Sequence, residues 1–303
     1  MTQTNRTILK GAAAAILIFV AAIFIGPEIG DDGLPPVVPE FTGGRFLSLK
    51  SAAALATAFK DAGYDLTEVK SGKKPVPPLF LRRLPGDLAA VTDTDRRKAL
   101  FIQTILPMAL AVNQKLRAHR AALEDLKAKG ETLNEAEQAW LRVVAARHKN
   151  AKSDPKTLLE QIAPLPVALI IAQAAVESGW GTSRFAREGN ALFGQWTWEP
   201  GAGIVPEARE EGKNHAVKSY SRLIDSVWDY ANNLNTHRAY ADFREARAKR
   251  LKAGKPLRAL PLIETLEEYS ERGAAYLDLL QGIIERNGLS ALNNATLSDQ
   301  LGE

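Results

Sequence analysis

The sequence contains no cysteine, which excludes disulfides, thiolate zinc sites and thiol nucleophiles. Histidine is scarce. His119, His148, His215 and His237 are scattered along 303 residues with no HExxH spacing, so neither a metal nor a cofactor is expected. Charge of one sign is also lacking: 39 Lys+Arg against 35 Asp+Glu leaves +4, too little to call for nucleic acid. What imbalance there is lies late in the chain, where Arg238–Arg258 is rich in Lys and Arg and the residues from Ala259 onward are acidic. Such runs form solvated helical surfaces, or a basic patch for an anionic polymer.

An apolar content of 46% against 24% charged residues is that of a globular chain able to bury a sizeable core. Its one strong topological signal is at the start. Arg6 and Lys10 precede an uncharged apolar run from Gly11, and the stretch Ile8–Ile25, with Lys10 near its start, is at the lower length limit for a spanning helix. Residues 1–28 are therefore expected to be a cytoplasmic stub and a single-pass inner-membrane anchor through residues 8–25, with the remainder in the periplasm. Cleavage near Ala22 is the rival reading, and it exports the chain equally. Residues 29–94, with proline clusters at 35–39 and 75–78, are expected to form a linker with one short helix near Ser48–Ala62.

Helical spacing of Leu100, Ile105, Leu110 and Leu116 predicts a long helix from about Asp95 to Gly130, kinked at Pro107, and then a second from Asn134 to His148. The run Pro164–Val176 is apolar on nearly every face, so its helix should lie at the domain centre and end at a Gly179 cap. Between Asn190 and Tyr220 a short alternating pattern predicts a small β-hairpin lobe. Helices resume at Leu223 and continue to about Asn287. Residues 95–290 form the expected main domain, and 291–303 a tail.

Glu177 ends the most apolar helix, beside Trp180. Burial, an aromatic wall and the negative helix end would each hold its carboxyl protonated, as a general acid for glycosidic cleavage requires. A buried carboxylate satisfied by the next turn is the structural alternative. Asn190, Phe193, Gly194, Gln195, Trp196 and Trp198 follow closely. Aromatic rings stack on sugar faces, and the amides can bond hydroxyl and acetamido groups.

Ala174–Ala186, reading AAVESGWGTSRFA, followed by Gly189–Trp196, reading GNALFGQW, resembles the core motif of the endo-β-N-acetylglucosaminidase-like family shared by flagellar peptidoglycan hydrolases and autolysins. Asn233–Tyr240 and Tyr269–Gly273 are similar to later motifs of its Bax branch. The resemblance implies a mainly α, lysozyme-like fold and hydrolysis of the β-1,4 bond between N-acetylglucosamine and N-acetylmuramic acid in peptidoglycan. It implies Glu177 as general acid and Tyr240 as a residue that helps hold the N-acetyl sugar. The family's second carboxylate lies on the β-lobe, where Glu199, Glu207, Glu210 and Glu211 qualify and Glu207 is preferred. A base there suggests inversion if the carboxyls lie more than ~6.5 Å apart, and its absence suggests attack by the substrate's own acetamido oxygen. A lytic transglycosylase of related fold, or a wall-binding module without turnover, remain the alternatives.

Overall fold

The computed structural model describes residues 33–37, 41, 43–130, 132–148, 153–207, 209 and 212–299. The expected anchor at 8–25 lies outside the described residues, as do Glu210 and Glu211. The described chain is mainly helical with two small sheets.

The region expected as linker is folded. Strand β1 (Arg45–Leu47) pairs in parallel with β2 (Leu79–Leu81), Phe46 opposite Phe80. Between them lie helices α1 (Ala52–Asp61) and α2 (Leu66–Lys70), whose first amides are accepted by the side chains of Ser51 and Asp65. The prolines at 75, 77 and 78 do favour extended backbone, but the apolar residues around them decide its fate. Val76, Leu79, Phe80, Leu81, Leu84 and Leu88 are all buried in the common core. Proline suits a strand entry as well as a tether, and composition alone does not separate the two.

Helix α3 (Thr94–Lys129) starts on an Asp93 cap and runs without a break through Pro107. It is long and apolar enough to cross a membrane, but its apolar stretch is mostly buried inside the protein, so it is a core helix here. Helix α4 (Glu135–Arg147) returns beside it from a capping box in which Asn134 and Glu137 satisfy each other's backbone amides. Helix α5 (Pro155–Gln161) follows.

Helix α6 (Val167–Ser178) is buried at every position except Val176 and Glu177. The Asn113 side chain fixes its entry by donating to the Leu165 carbonyl and accepting from the Leu165 amide, both at 2.8 Å. Gly179 caps its end in the left-handed conformation, as anticipated. Ser183 then caps α7 (Arg184–Gly189).

The lobe is an antiparallel sheet of β3 (Trp196–Thr197), β4 (Gly203–Ile204) and β5 (Ala216–Lys218), with β5 central. The expected hairpin corresponds to β4 and β5, and β3 is an addition to it. Helices α8 (Leu223–Thr236), α9 (Ala241–Lys252), α10 (Leu260–Ile263) and α11 (Ala274–Arg286) complete the molecule. The tail also differs from expectation. The turn Leu289–Asn294 packs on α6, and Leu297 bridges to Val76, tying the C-terminal end to the N-terminal region.

Candidate active site

Glu177 lies in the last turn of α6, half-buried, where the carbonyl end of the helix faces it. Burial pushes its carboxyl above the usual range, and two groups oppose that shift: a hydrogen bond from Tyr276 and the positive charge of Arg272. The Tyr276 hydroxyl donates to Glu177 Oε1 at 2.9 Å. One carboxyl oxygen is thereby engaged and Oε2 is the one left to carry a proton.

The wall around this carboxyl is made of tyrosines. Tyr269 stacks on Tyr276 with centroids 5.6 Å apart, Tyr240 tilts against Tyr269 at 5.7 Å, and Tyr230 meets Tyr269 edge-on. Burial foremost, with neighbouring tyrosines and the negative charge of Glu177 adding to it, holds the hydroxyls of Tyr230, Tyr240, Tyr269 and Tyr276 above the ordinary phenol value. They act as neutral hydrogen-bonding groups. Trp180, expected as the wall, instead meets Phe101 of α3 edge-on at 5.7 Å and lies under Lys98. The fully buried Ser178 hydroxyl donates to Ala174 O and accepts from the Gly181 amide at 2.8 Å, so it braces the turn that follows Glu177.

The other expected site residues divide by exposure. Asn190 is wholly buried in the left-handed conformation and donates to the Tyr220 carbonyl. Phe193 is buried and stacks on Tyr230 at 4.0 Å. Gly194 takes a positive φ with open space where a side chain would sit. The one hydrogen of the Tyr220 hydroxyl is shared between Gln195 Oε1 at 2.8 Å and Asp229 Oδ2 at 2.6 Å. That hydroxyl and Lys218 both bind Asp229 of α8, which pins the lobe to the helical body. Trp196 and Trp198 are 58% and 62% exposed, and Trp196 stacks on His215 at 4.4 Å. Large aromatics are seldom left this bare, so the lobe presents an open aromatic platform.

Tyr240 is buried, and its hydroxyl senses both the Asn233 side chain and the charge of Glu177. Glu207 lies just after β4 on the lobe. It is 86% exposed and its ion-pair partner is Arg184, 3.4 Å away. The structure thus brings Glu177, Tyr240 and Phe193 into one cluster, with Trp196 and Trp198 on the adjoining lobe.

Tyr230, Tyr276 and Gln173 were missed by the sequence reading. Gln173 carried a signal: it is the one polar side chain in the run Pro164–Val176, a single helical turn before Glu177 and so on the same face. Among the described residues no group of His, Asp and Glu could hold a metal ion.

Residues 156–289 match the family model described as Glucosaminidase, mannosyl-glycoprotein endo-beta-N-acetylglucosaminidase. The chain is 34% identical over 230 residues to Protein bax of Escherichia coli (strain K12), covering 74% of this chain and 78% of that protein. It is 34% identical over 99 residues to Peptidoglycan hydrolase FlgJ of the same strain, covering 29% of this chain and 32% of that one. A solved structure, the catalytic domain of the autolysin Auto from Listeria monocytogenes, aligns with 56% of this chain and 94% of that chain at 19% identity and a TM-score of 0.33.

Proposed function

The chain belongs to the Bax-like branch of the glucosaminidase family and is a glycoside hydrolase, and from that membership we propose that it cleaves the β-1,4 bond between N-acetylglucosamine and N-acetylmuramic acid in peptidoglycan, with Glu177 as general acid. The observation that carries the acid assignment is the setting of its carboxyl: desolvated at a helix end, tethered through one oxygen to Tyr276, and lifted above the usual carboxylate range. Such a group keeps a proton to give to the leaving glycosidic oxygen. The FlgJ similarity supports peptidoglycan as the substrate.

Tyr240, packed against Tyr269 beside the carboxyl, is assigned to the N-acetyl sugar next to the scissile bond. Trp196 and Trp198 are assigned to more distant sugars of the strand, through stacking on their apolar faces. Asn190 and Phe193 serve from beneath, by holding the Gly189–Gln195 segment and the Tyr230 ring in place. Glu207 is the proposed water-activating carboxylate, supported by its exposed position on the lobe. The lysozyme-like arrangement, the inner-membrane anchor at residues 8–25 and the periplasmic location belong to the same proposal.

The test is Glu177→Gln assayed on purified sacculi. Digestion should fall about 10²–10⁴-fold while sacculus binding is retained; digestion at the wild-type rate would remove Glu177 from the mechanism. Glu207→Gln in the same assay tests the second role, and wild-type turnover there would leave substrate-assisted attack as the route.

A further inference from the structure

Gln173 is wholly buried and takes part in no exposed surface. Its side chain lies between two tyrosines from different helices: Tyr230 of α8 donates its hydroxyl hydrogen to Gln173 Oε1, and Gln173 Nε2 donates to the Tyr276 hydroxyl oxygen at 2.9 Å. Tyr276 in turn donates to Glu177 Oε1. The hydrogens therefore run one way, from Tyr230 through Gln173 and Tyr276 to the carboxyl.

That direction has chemical content. A hydroxyl has one hydrogen. Because Tyr276 accepts from the amide, its hydrogen is free to go to Glu177. If the amide were turned over, its oxygen would face Tyr276 and compete for that hydrogen. Glu177 would then point its own proton at Tyr276 and away from a substrate. Tyr230 decides between the two orientations. It is fully buried, and among the described residues its hydroxyl has Gln173 as its hydrogen-bond partner. Turning the amide would leave that hydroxyl hydrogen buried without an acceptor, which disfavours the turned orientation.

We propose that Gln173 is a positioning residue for the glycosidase reaction: held by Tyr230, its amide orients the Tyr276 hydroxyl toward Glu177 Oε1, so that the transferable proton stays on Oε2. The proposal rests on Glu177 being the acid, and it assigns to a buried tyrosine–glutamine pair the choice of which carboxyl oxygen reacts.

The experiment is the pH profile of kcat/KM for the full chain and for Tyr276→Phe, Gln173→Met, Tyr230→Phe and the double variant Gln173→Met/Tyr276→Phe. Tyr276→Phe deletes the donor to the carboxylate, so the alkaline limb should move up by about one pH unit. Gln173→Met should move it the same way, with kcat down at least ~10-fold and KM within about twofold. The double variant should match Tyr276→Phe alone, because Gln173 acts through that hydroxyl. Tyr230→Phe keeps the ring and its packing and should give a smaller shift of the same sign, so it carries the test if Gln173→Met does not fold. Additive losses in the double variant, or an unmoved alkaline limb in both Gln173→Met and Tyr230→Phe, overturn the proposal. An active Glu177→Gln enzyme would defeat the underlying acid assignment instead, and the two failures are thereby told apart.

Discussion

Glu177 is costly to the fold for the same reason that it suits acid catalysis. Burial raises its folded pKa above the unfolded value, so between those values the folded protein binds more protons than the unfolded chain. Stability therefore falls as pH rises through that window, and the penalty is complete above the folded pKa. Glu177→Gln has no charge to desolvate and still offers an oxygen to Tyr276. Its thermal midpoint should exceed the wild-type value at pH 8 and converge with it near pH 3.5, as read by calorimetry. Equal midpoints at both pH values would mean that the carboxyl is not desolvated. The placement of Glu177 at the end of a buried helix was legible because its cues are local: an apolar helix and a glycine cap. The sequence did not reveal Tyr230 and Tyr276, which reach Gln173 across 57 and 103 residues of chain. Nor could it show that Trp180 turns toward Phe101, since that contact exists only once α6 has packed on α3.

Among the elements, the turn after α6 shows how the N-terminal region bears on the site. Gly181 has φ +78°, and a Cβ there would lie 2.9 Å from Leu84 Cδ1 and 3.0 Å from Phe101. The segment after β2 and the N-terminal part of α3 therefore press directly on the motif that carries Glu177. Gly181→Ala meets both a left-handed backbone and an occupied space, and should cost about 2–4 kcal/mol, measured by denaturant unfolding. A loss below 1 kcal/mol would show that this contact yields easily. Helix α6 was legible at this scale because both of its ends are written in sequence, Pro166 before it and Gly179 after it. The pairing of β1 with β2 was not. Each strand is three residues long, and the partners are joined by two helices, so no local alternation marks them.

At the scale of the molecule, the N-terminal region and the chain end close on each other. Val76 pairs with Leu297, Lys70 donates to the Asn287 carbonyl, and the buried residues of α1, β2 and α3 belong to one core. Residues 34–37 and Phe41 are also docked: Trp140 and His119 bind the Pro35 and Pro36 carbonyls, and Phe41 meets Trp228. A chain beginning at Gly33 should therefore melt like the full-length protein. One beginning at Thr94 should lose cooperative unfolding and activity, because it uncovers Phe101 and the Gly179–Gly181 turn. Retained activity in the shorter chain would mean that residues 33–93 are dispensable to the site. Composition had pointed to a tether for these residues. Proline content misled there because it restricts the backbone without indicating what the side chains bury.

The most direct measurement is the chemistry of the cut ends. Sacculi digested by the full chain, reduced with borohydride and acid-hydrolysed, should yield glucosaminitol in step with solubilisation, since cleavage at the proposed bond leaves N-acetylglucosamine at each new reducing end. Muramitol as the product, or 1,6-anhydromuramic acid from a transglycosylase, would contradict the assignment.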